Sequence, residues 1–95
     1  MGKHQALVHH EGDAVAVVIM DIAKGTAVSS VTLEGQDQGT VTATQDIPLG
    51  HKIALRDIEQ GSDVIKYGRS IGEATQNITA GQHVHTQNVK SQRWA

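Results

Sequence analysis

Six histidines carry most of the chemical potential of this 95-residue chain: His4, His9, His10, His51, His83 and His85. His83 and His85 are one residue apart. Alternate side chains of an extended strand share a face, so both rings are expected to project together with Gln87. Two imidazoles on one face can ligate a metal ion or move protons near neutral pH. The plain alternative is a strand whose polar face meets solvent. His51 directly follows Gly50, which places its ring near a strand end. His9 and His10 share a loop with Asp13, and His4, close to the terminus, is expected to be inert. Lys52, Lys66 and Tyr67 flank these positions, and a Lys or Tyr beside a His cluster can hold a carboxylate or take a proton. Taken singly, such a Lys is more often a solvated strand residue. No nucleophile elbow, phosphate-binding Gly-rich loop or dinucleotide fingerprint is present. So short a chain has little room for a deep pocket of its own, so catalytic His and Lys are expected to act at an interface.

The elements that must position these residues are marked by one repeated phrase. Asp-Ile-x-x-Gly occurs as Asp21–Gly25, Asp46–Gly50 and Asp57–Gly61, and with Asn for Asp as Asn77–Gly81. In every copy an aliphatic residue follows the Gly by three: Val28, Ile53, Val64 and Val84. Asp or Asn can hydrogen-bond its own backbone two residues on and start a turn. Gly supplies the positive φ that closes it. The β-branched residues on either side can face a common core. Each copy therefore predicts a strand end, a tight turn and a new strand. The intervals of 25, 11 and 20 residues are unequal, which excludes a solenoid of fixed period.

Between these turns the chain reads as short strands. Ala6–Val8 and the aliphatic run Ala14–Met20 can pair across the His9–Asp13 loop, and the second is apolar on both faces, as a central strand would be. Ala27–Leu33, Thr40–Thr44, His51–Leu55, Val64–Tyr67 and His83–Val89 are further strand candidates. Glu34–Gly39 is the most loop-like stretch, Gly68–Gly72 resembles another tight corner, and Glu73–Asn77 has room for one helical turn. Residues 90–95 read as an extended tail, whose Trp94 would be an unusual exposed apolar group on a monomer. The predicted fold is all-β, or nearly so, with roughly seven to nine short strands in a single domain over residues 1–95.

Composition narrows the function. The formal charge is −2, with no basic run and hardly any aromatics, which argues against a nucleic-acid partner. There is no Cys, so thiolate catalysis, disulfides and Cys-held metals are excluded. No signal-like leader and no apolar run of about 18 residues is present, so a cytoplasmic protein without a membrane partner is expected.

Three stretches in order carry a resemblance: D-I-P-L-G-H-K-I-A-L-R-D-I from Asp46, V-I-K-Y-G-x-x-I-G-x-A from Val64, and I-x-A-G-Q-H-V-H-x-x-N from Ile78. They resemble the N-terminal SAF-type domain of the altronate and galactarate dehydratase family, with Ala14 and Gln87 as departures from its pattern. The resemblance implies a β-clip fold of short bent strands. The free-standing length and the V-K-S-Q-R-W end are similar to small (alpha) subunits of (2R)-sulfolactate sulfo-lyases. By that likeness the chain is expected to be one subunit of a heteromeric lyase, inactive alone, that converts 3-sulfolactate to pyruvate and bisulfite with a large catalytic subunit. The alternatives are the small subunit of a sugar-acid dehydratase, or a SAF module that binds a ligand or scaffolds without chemistry. A homo-oligomer is a further expectation. The resemblance also implies a divalent metal such as iron, held mainly by the partner, with His83 and His85 as the ligand candidates here. It places His51, His83, His85 and Lys66 as catalytic residues, and Lys52, Tyr67 and His9 against the substrate's anionic groups.

Overall fold

The computed structural model describes residues 4–66, 69–85 and 88–91. These form nine strands and, among the described residues, no helix: β1 (Ala6–Val8), β2 (Val15–Val18), β3 (Ala27–Thr32), β4 (Asp37–Thr42), β5 (Lys52–Ala54), β6 (Asp63–Lys66), β7 (Arg69–Ala74), β8 (His83–Val84) and β9 (Val89–Ser91). A six-stranded sheet runs β4-β3-β1-β2-β5-β8, and a three-stranded sheet runs β6-β7-β9. Only the β1–β3 pair is parallel. β1 and β2 pair antiparallel across the His9–Asp13 loop, as the two aliphatic runs suggest. The all-β, SAF-type architecture expected from the sequence is the one observed.

The four Asp/Asn-Ile-x-x-Gly copies are indeed turns, but they do not close on themselves. They lock together in two pairs. Ile22 and Ile47 exchange both backbone hydrogen bonds at 2.8 Å, and Ile58 and Ile78 do the same at 2.8 Å. The acidic or amide side chain reaches across rather than along its own turn. Asp46 Oδ1 accepts from Lys24 N and Asp21 Oδ1 from Leu49 N, each at 2.8 Å. In the second pair, Asn77 Oδ1 accepts from Gln60 N at 2.8 Å and Asp57 Oδ1 from Ala80 N at 2.9 Å. Each turn's orphan N–H is thus satisfied by its partner copy, which corrects the expectation of an own-backbone Asx turn. The glycine of every copy has a positive φ, from 86° to 91°, as the turn requires.

Two hydrophobic clusters follow from these pairs. Ile22, Val28, Ile47 and Ile53 pack with Ala6, Val8, Ala16, Val18 and Ala43. Ile58, Val64, Ile78 and Val84 pack with Ala14, Val15, Ala54 and Ala74. All four aliphatic residues three after the Gly are buried. β2 and β5 serve both clusters, which is why the run around Val15–Val18 is apolar on both faces. Truncating one of the buried Ile residues to Ala would cost about 2–5 kcal/mol.

Several local expectations are corrected. The strand expected over Ala14–Met20 stops at Val18, and Ile19 and Met20 are 44% and 40% exposed. The loop expected over Glu34–Gly39 is shorter, because β4 begins at Asp37. Of the corner expected over Gly68–Gly72, Gly68 lies outside the described residues, and Arg69–Gly72 are strand. β7 starts at Arg69, and Gly72 is needed because a Cβ there would collide with the Lys90 carbonyl of β9. Glu73 and Ala74 continue β7 instead of forming a helical turn. The strand expected over His83–Val89 is broken: β8 ends at Val84, and the N–H groups of Asn88 and Val89 turn back to the His85 carbonyl, both at 3.1 Å. Lys90 and Ser91, expected to open a tail, lie in β9. Trp94 lies outside the described residues.

Candidate functional site

Two turns from different pairs deliver imidazoles to one place. Gly50 is followed by His51 and β5, and Gly81 is followed by Gln82 and β8. β5 and β8 pair antiparallel, with Ile53 opposite His83 and Lys52 opposite Val84. His51 Nδ1 and His83 Nε2 are therefore 2.8 Å apart and share a hydrogen bond. The His85 ring stacks on His51 with centroids 4.1 Å apart and planes within 20°. The His83 and His85 planes lie within 9°, so the face shared by this H-x-H pair survives the chain's turn after His85.

A second group lies where β6 meets the loop after β1. Ala14 N donates to Ile65 O at 2.9 Å and ties the two segments together. Lys66, only 3% exposed, places its Nζ 2.9 Å from His9 Nδ1. With Lys66 carrying its proton, His9 Nδ1 must accept, which leaves the ring's own proton on Nε2. Asp13, also buried, accepts the His10 N–H through Oδ2 at 3.2 Å. Lys52 links the two groups, since its charge acts on both His9 and His85.

The electrostatics of the cluster favour neutral rings. Burial, then the Lys66 ammonium, holds His9 below the usual imidazole range, against an opposing pull from Asp13. Burial and then the neighbouring His51 hold His83 down, and burial, His51 and Lys52 hold His85 down. His83 and His85 are thus in their base form at neutral pH, beside His51 and, for His85, within reach of the Lys52 charge. Such a site can take a proton and can attract a charge-dense anion.

Of the residues expected from the sequence, His51, His83 and His85 come together, His9 and Lys66 form a separate pair, and the charge of Lys52 acts on both groups. Tyr67 lies outside the described residues. His4 is apart, with Nδ1 3.0 Å from Ser29 Oγ. Among the described residues, no three or more His, Asp or Glu side chains form a group that could hold a metal ion. Stacked rings aim their in-plane lone pairs alongside one another rather than at a common point, which disfavours chelation by the His51–His85 pair. The described residues of this chain therefore do not by themselves make up a complete metal centre.

Two residues of the site receive no role from the sequence, although Asn88 closes the motif that begins at Ile78. Gln45 Oε1 accepts from His83 N at 3.0 Å. Asn88, fully buried, accepts from His85 N through Oδ1 at 3.0 Å and donates from Nδ2 to His83 O at 2.7 Å. An Asn three residues after a His, where a strand pattern ends, is the one signal that could have pointed to it. A concavity of about 470 Å³ lies elsewhere, over the second turn pair, lined by Asp57, Glu59, Gln60, Asn77 and Thr79. The side-chain oxygens of Asp57 and Asn77 are engaged by backbone N–H groups there, so the chemistry is better placed at the imidazoles. Among the described residues no helix is long and apolar enough to cross a membrane.

Comparison with known proteins fits this geometry. Residues 4–92 match the family model described as the altronate/galactarate dehydratase SAF domain. The chain is 49% identical over 82 residues to altronate dehydratase of Escherichia coli (strain K12), covering 86% of this chain and 15% of that enzyme. It is 39% identical over 89 residues to (2R)-sulfolactate sulfo-lyase subunit alpha of Chromohalobacter salexigens, covering 93% of this chain and 95% of that subunit. The corresponding subunit of Paracoccus pantotrophus is 48% identical over 54 residues, 57% of this chain and 81% of the subunit. The chain belongs to the altronate/galactarate dehydratase SAF-domain family.

Proposed function

We propose, from that membership, that the chain is the small subunit of a heteromeric lyase that cleaves the carbon–sulfur bond of 3-sulfolactate. The observation that carries the reading is the cluster of imidazoles at the β5–β8 junction, with a second Lys–His pair where β6 meets the loop after β1, set in a chain that matches a sulfo-lyase alpha subunit almost end to end. The proton α to the carboxylate passes to a neutral imidazole of the His51–His83–His85 group. The electron pair of that C–H bond forms the enediolate, then the double bond to the β-carbon. The C–S bond breaks with its pair on sulfur, and sulfite leaves. The resulting enol takes a proton at the β-carbon and becomes pyruvate, while sulfite is released as bisulfite. Lys66, Lys52 and His9 face the sulfonate or carboxylate, where cations favour both the ground-state dianion and the developing charge. The large catalytic subunit supplies the rest of the site, and any divalent ion the reaction uses is held by its residues.

Mixing the chain with a sulfo-lyase large subunit and following pyruvate and bisulfite release from 3-sulfolactate tests this. Turnover is expected only when both chains are present. His51→Ala and His83→Ala are each expected to lower kcat about 10²–10⁴-fold with assembly intact. The 49% identity to altronate dehydratase supports a second reading, in which hydroxide leaves in place of sulfite. Dehydration of altronate or galactarate without bisulfite release would establish that reading instead. Assembly unaffected and turnover unchanged in both His variants would reduce the domain to a scaffold.

A further inference from the structure

We propose that Asn88 is a positioning residue, whose carboxamide sets the geometry of the imidazole cluster. Its side chain is fully buried and makes two hydrogen bonds of opposite sense to the same two-residue reach of chain. Oδ1 accepts from the His85 N–H at 3.0 Å, and Nδ2 donates to the His83 carbonyl at 2.7 Å. A carboxamide can accept through one atom and donate through another at once without carrying charge. Its own backbone completes the clamp: Asn88 N donates to His85 O at 3.1 Å, and Asn88 O accepts from Thr75 N at 3.0 Å, tying the loop to the end of β7.

The need for such a clamp follows from where the chain stops being a strand. β8 is two residues long, His83–Val84, so sheet pairing with β5 fixes His83 but does not extend to His85. His85 itself lies outside the described strands, yet its ring lies 4.1 Å from His51 and nearly parallel to it. Asn88 replaces the missing ladder. It fixes the backbone of both histidines from below, while Gln45 Oε1 holds the His83 N–H from the other side at 3.0 Å. The 2.8 Å contact of His51 Nδ1 with His83 Nε2 tolerates little slack, because a hydrogen bond weakens steeply once distance and angle drift.

The test is made on the full chain labelled with ¹⁵N in its histidines and asparagines. In the unaltered protein, the contacting nitrogens of His51 and His83 should show one fixed donor and one fixed acceptor at high pH, and the Asn88 carboxamide protons should be protected from exchange. Asn88→Ala is expected to fold with an unchanged sheet signal but to lose that fixed tautomer pair, with the His83 titration moving up towards the ordinary imidazole range. Val28→Ala, which opens a cavity in the other core cluster, is the control and should leave both signatures in place. Retention of the His51–His83 signature in a folded Asn88→Ala protein would overturn the proposal. If that variant does not fold, exchange in the unaltered chain decides: a rapidly exchanging Asn88 carboxamide overturns it equally. In the two-subunit complex, an arm that rests on the lyase reading, Asn88→Ala should lower kcat at least tenfold while KM stays within twofold. Failure of the lyase reading would silence only that arm, since the resonance signatures need no turnover.

Discussion

The two turn pairs are built by the same rules and deliver different things. In both, Ile bonds Ile, an Asp or Asn oxygen caps the partner copy, and the glycine N–H reaches the residue three before the partner's Asp or Asn. Yet the copies ending at Gly25 and Gly61 lead into Thr26-Ala27 and Ser62-Asp63, whereas those ending at Gly50 and Gly81 lead into His51-Lys52 and Gln82-His83. Each pair thus has one arm that only folds the chain and one that leads into the imidazole cluster. The two histidine-bearing arms come from different pairs, and β5–β8 pairing brings them side by side. The backbone device is shared, and the proposed function rests on the residues one and two places beyond it.

Breaking the symmetry at glycine should give the largest effect. A Cβ at Gly81 would run into the Thr42 carbonyl, where φ is already +91°, whereas Gly61, at +87°, faces open space. Gly81→Ala is expected to cost on the order of 3–4 kcal/mol or to prevent folding, and Gly61→Ala about 1–2 kcal/mol, read by urea unfolding. A smaller effect is expected at the caps. Asp57→Ala should cost about 1 kcal/mol, while Asp57→Asn should stay within about 0.5 kcal/mol, because Asn77 already performs this task through an amide oxygen. Equal costs for the two substitutions would mean that charge, rather than the oxygen's position, holds the pair.

The pH dependence separates the chemical arms from the folding arms. His9, His83 and His85 all titrate below their ordinary value of 6.5 in the folded chain. The unfolded chain therefore binds more protons as pH falls below that value. The stability these groups contribute is complete above about pH 6.5 and is lost as pH falls through their folded values. The urea midpoint should drop over that window, and His83→Gln should flatten the drop. An anion bound among the rings should oppose it. The smallest effect belongs to Ser30, whose buried Oγ has no hydrogen-bond partner among the described residues. Ser30→Ala is expected to be neutral or to raise stability by up to about 1 kcal/mol.

Much of this was legible in the chain. The aliphatic runs gave β1–β3, and the Ile and Val anchors of the four turns gave the core, because burial on a strand leaves a local pattern. How the turns pair was not legible: an Asp oxygen can serve its own turn or a neighbour's with equal chemistry, and only the tertiary structure decides. The type of the site residues was visible, but not the contact of His51 with His83, 32 positions away, or of His9 with Lys66, 57 positions away. Asn88 was visible as the end of the motif from Ile78, but its role was not, because a buried clamp and an ordinary loop Asn look alike in sequence. Gly72 misled for a similar reason, since close strand approach and a turn call for the same residue.

β5 has only three residues, and each faces a different master: Lys52 the imidazole cluster, Ile53 the first core, Ala54 the second. A single codon gained or lost there would send an ammonium into oil and an isoleucine towards the imidazoles. Length variation among such domains must therefore be accommodated where no face is committed, as at the Glu34–Gln36 bend. Laboratory grafts of linkers or tags into the chain should be directed to that bend as well.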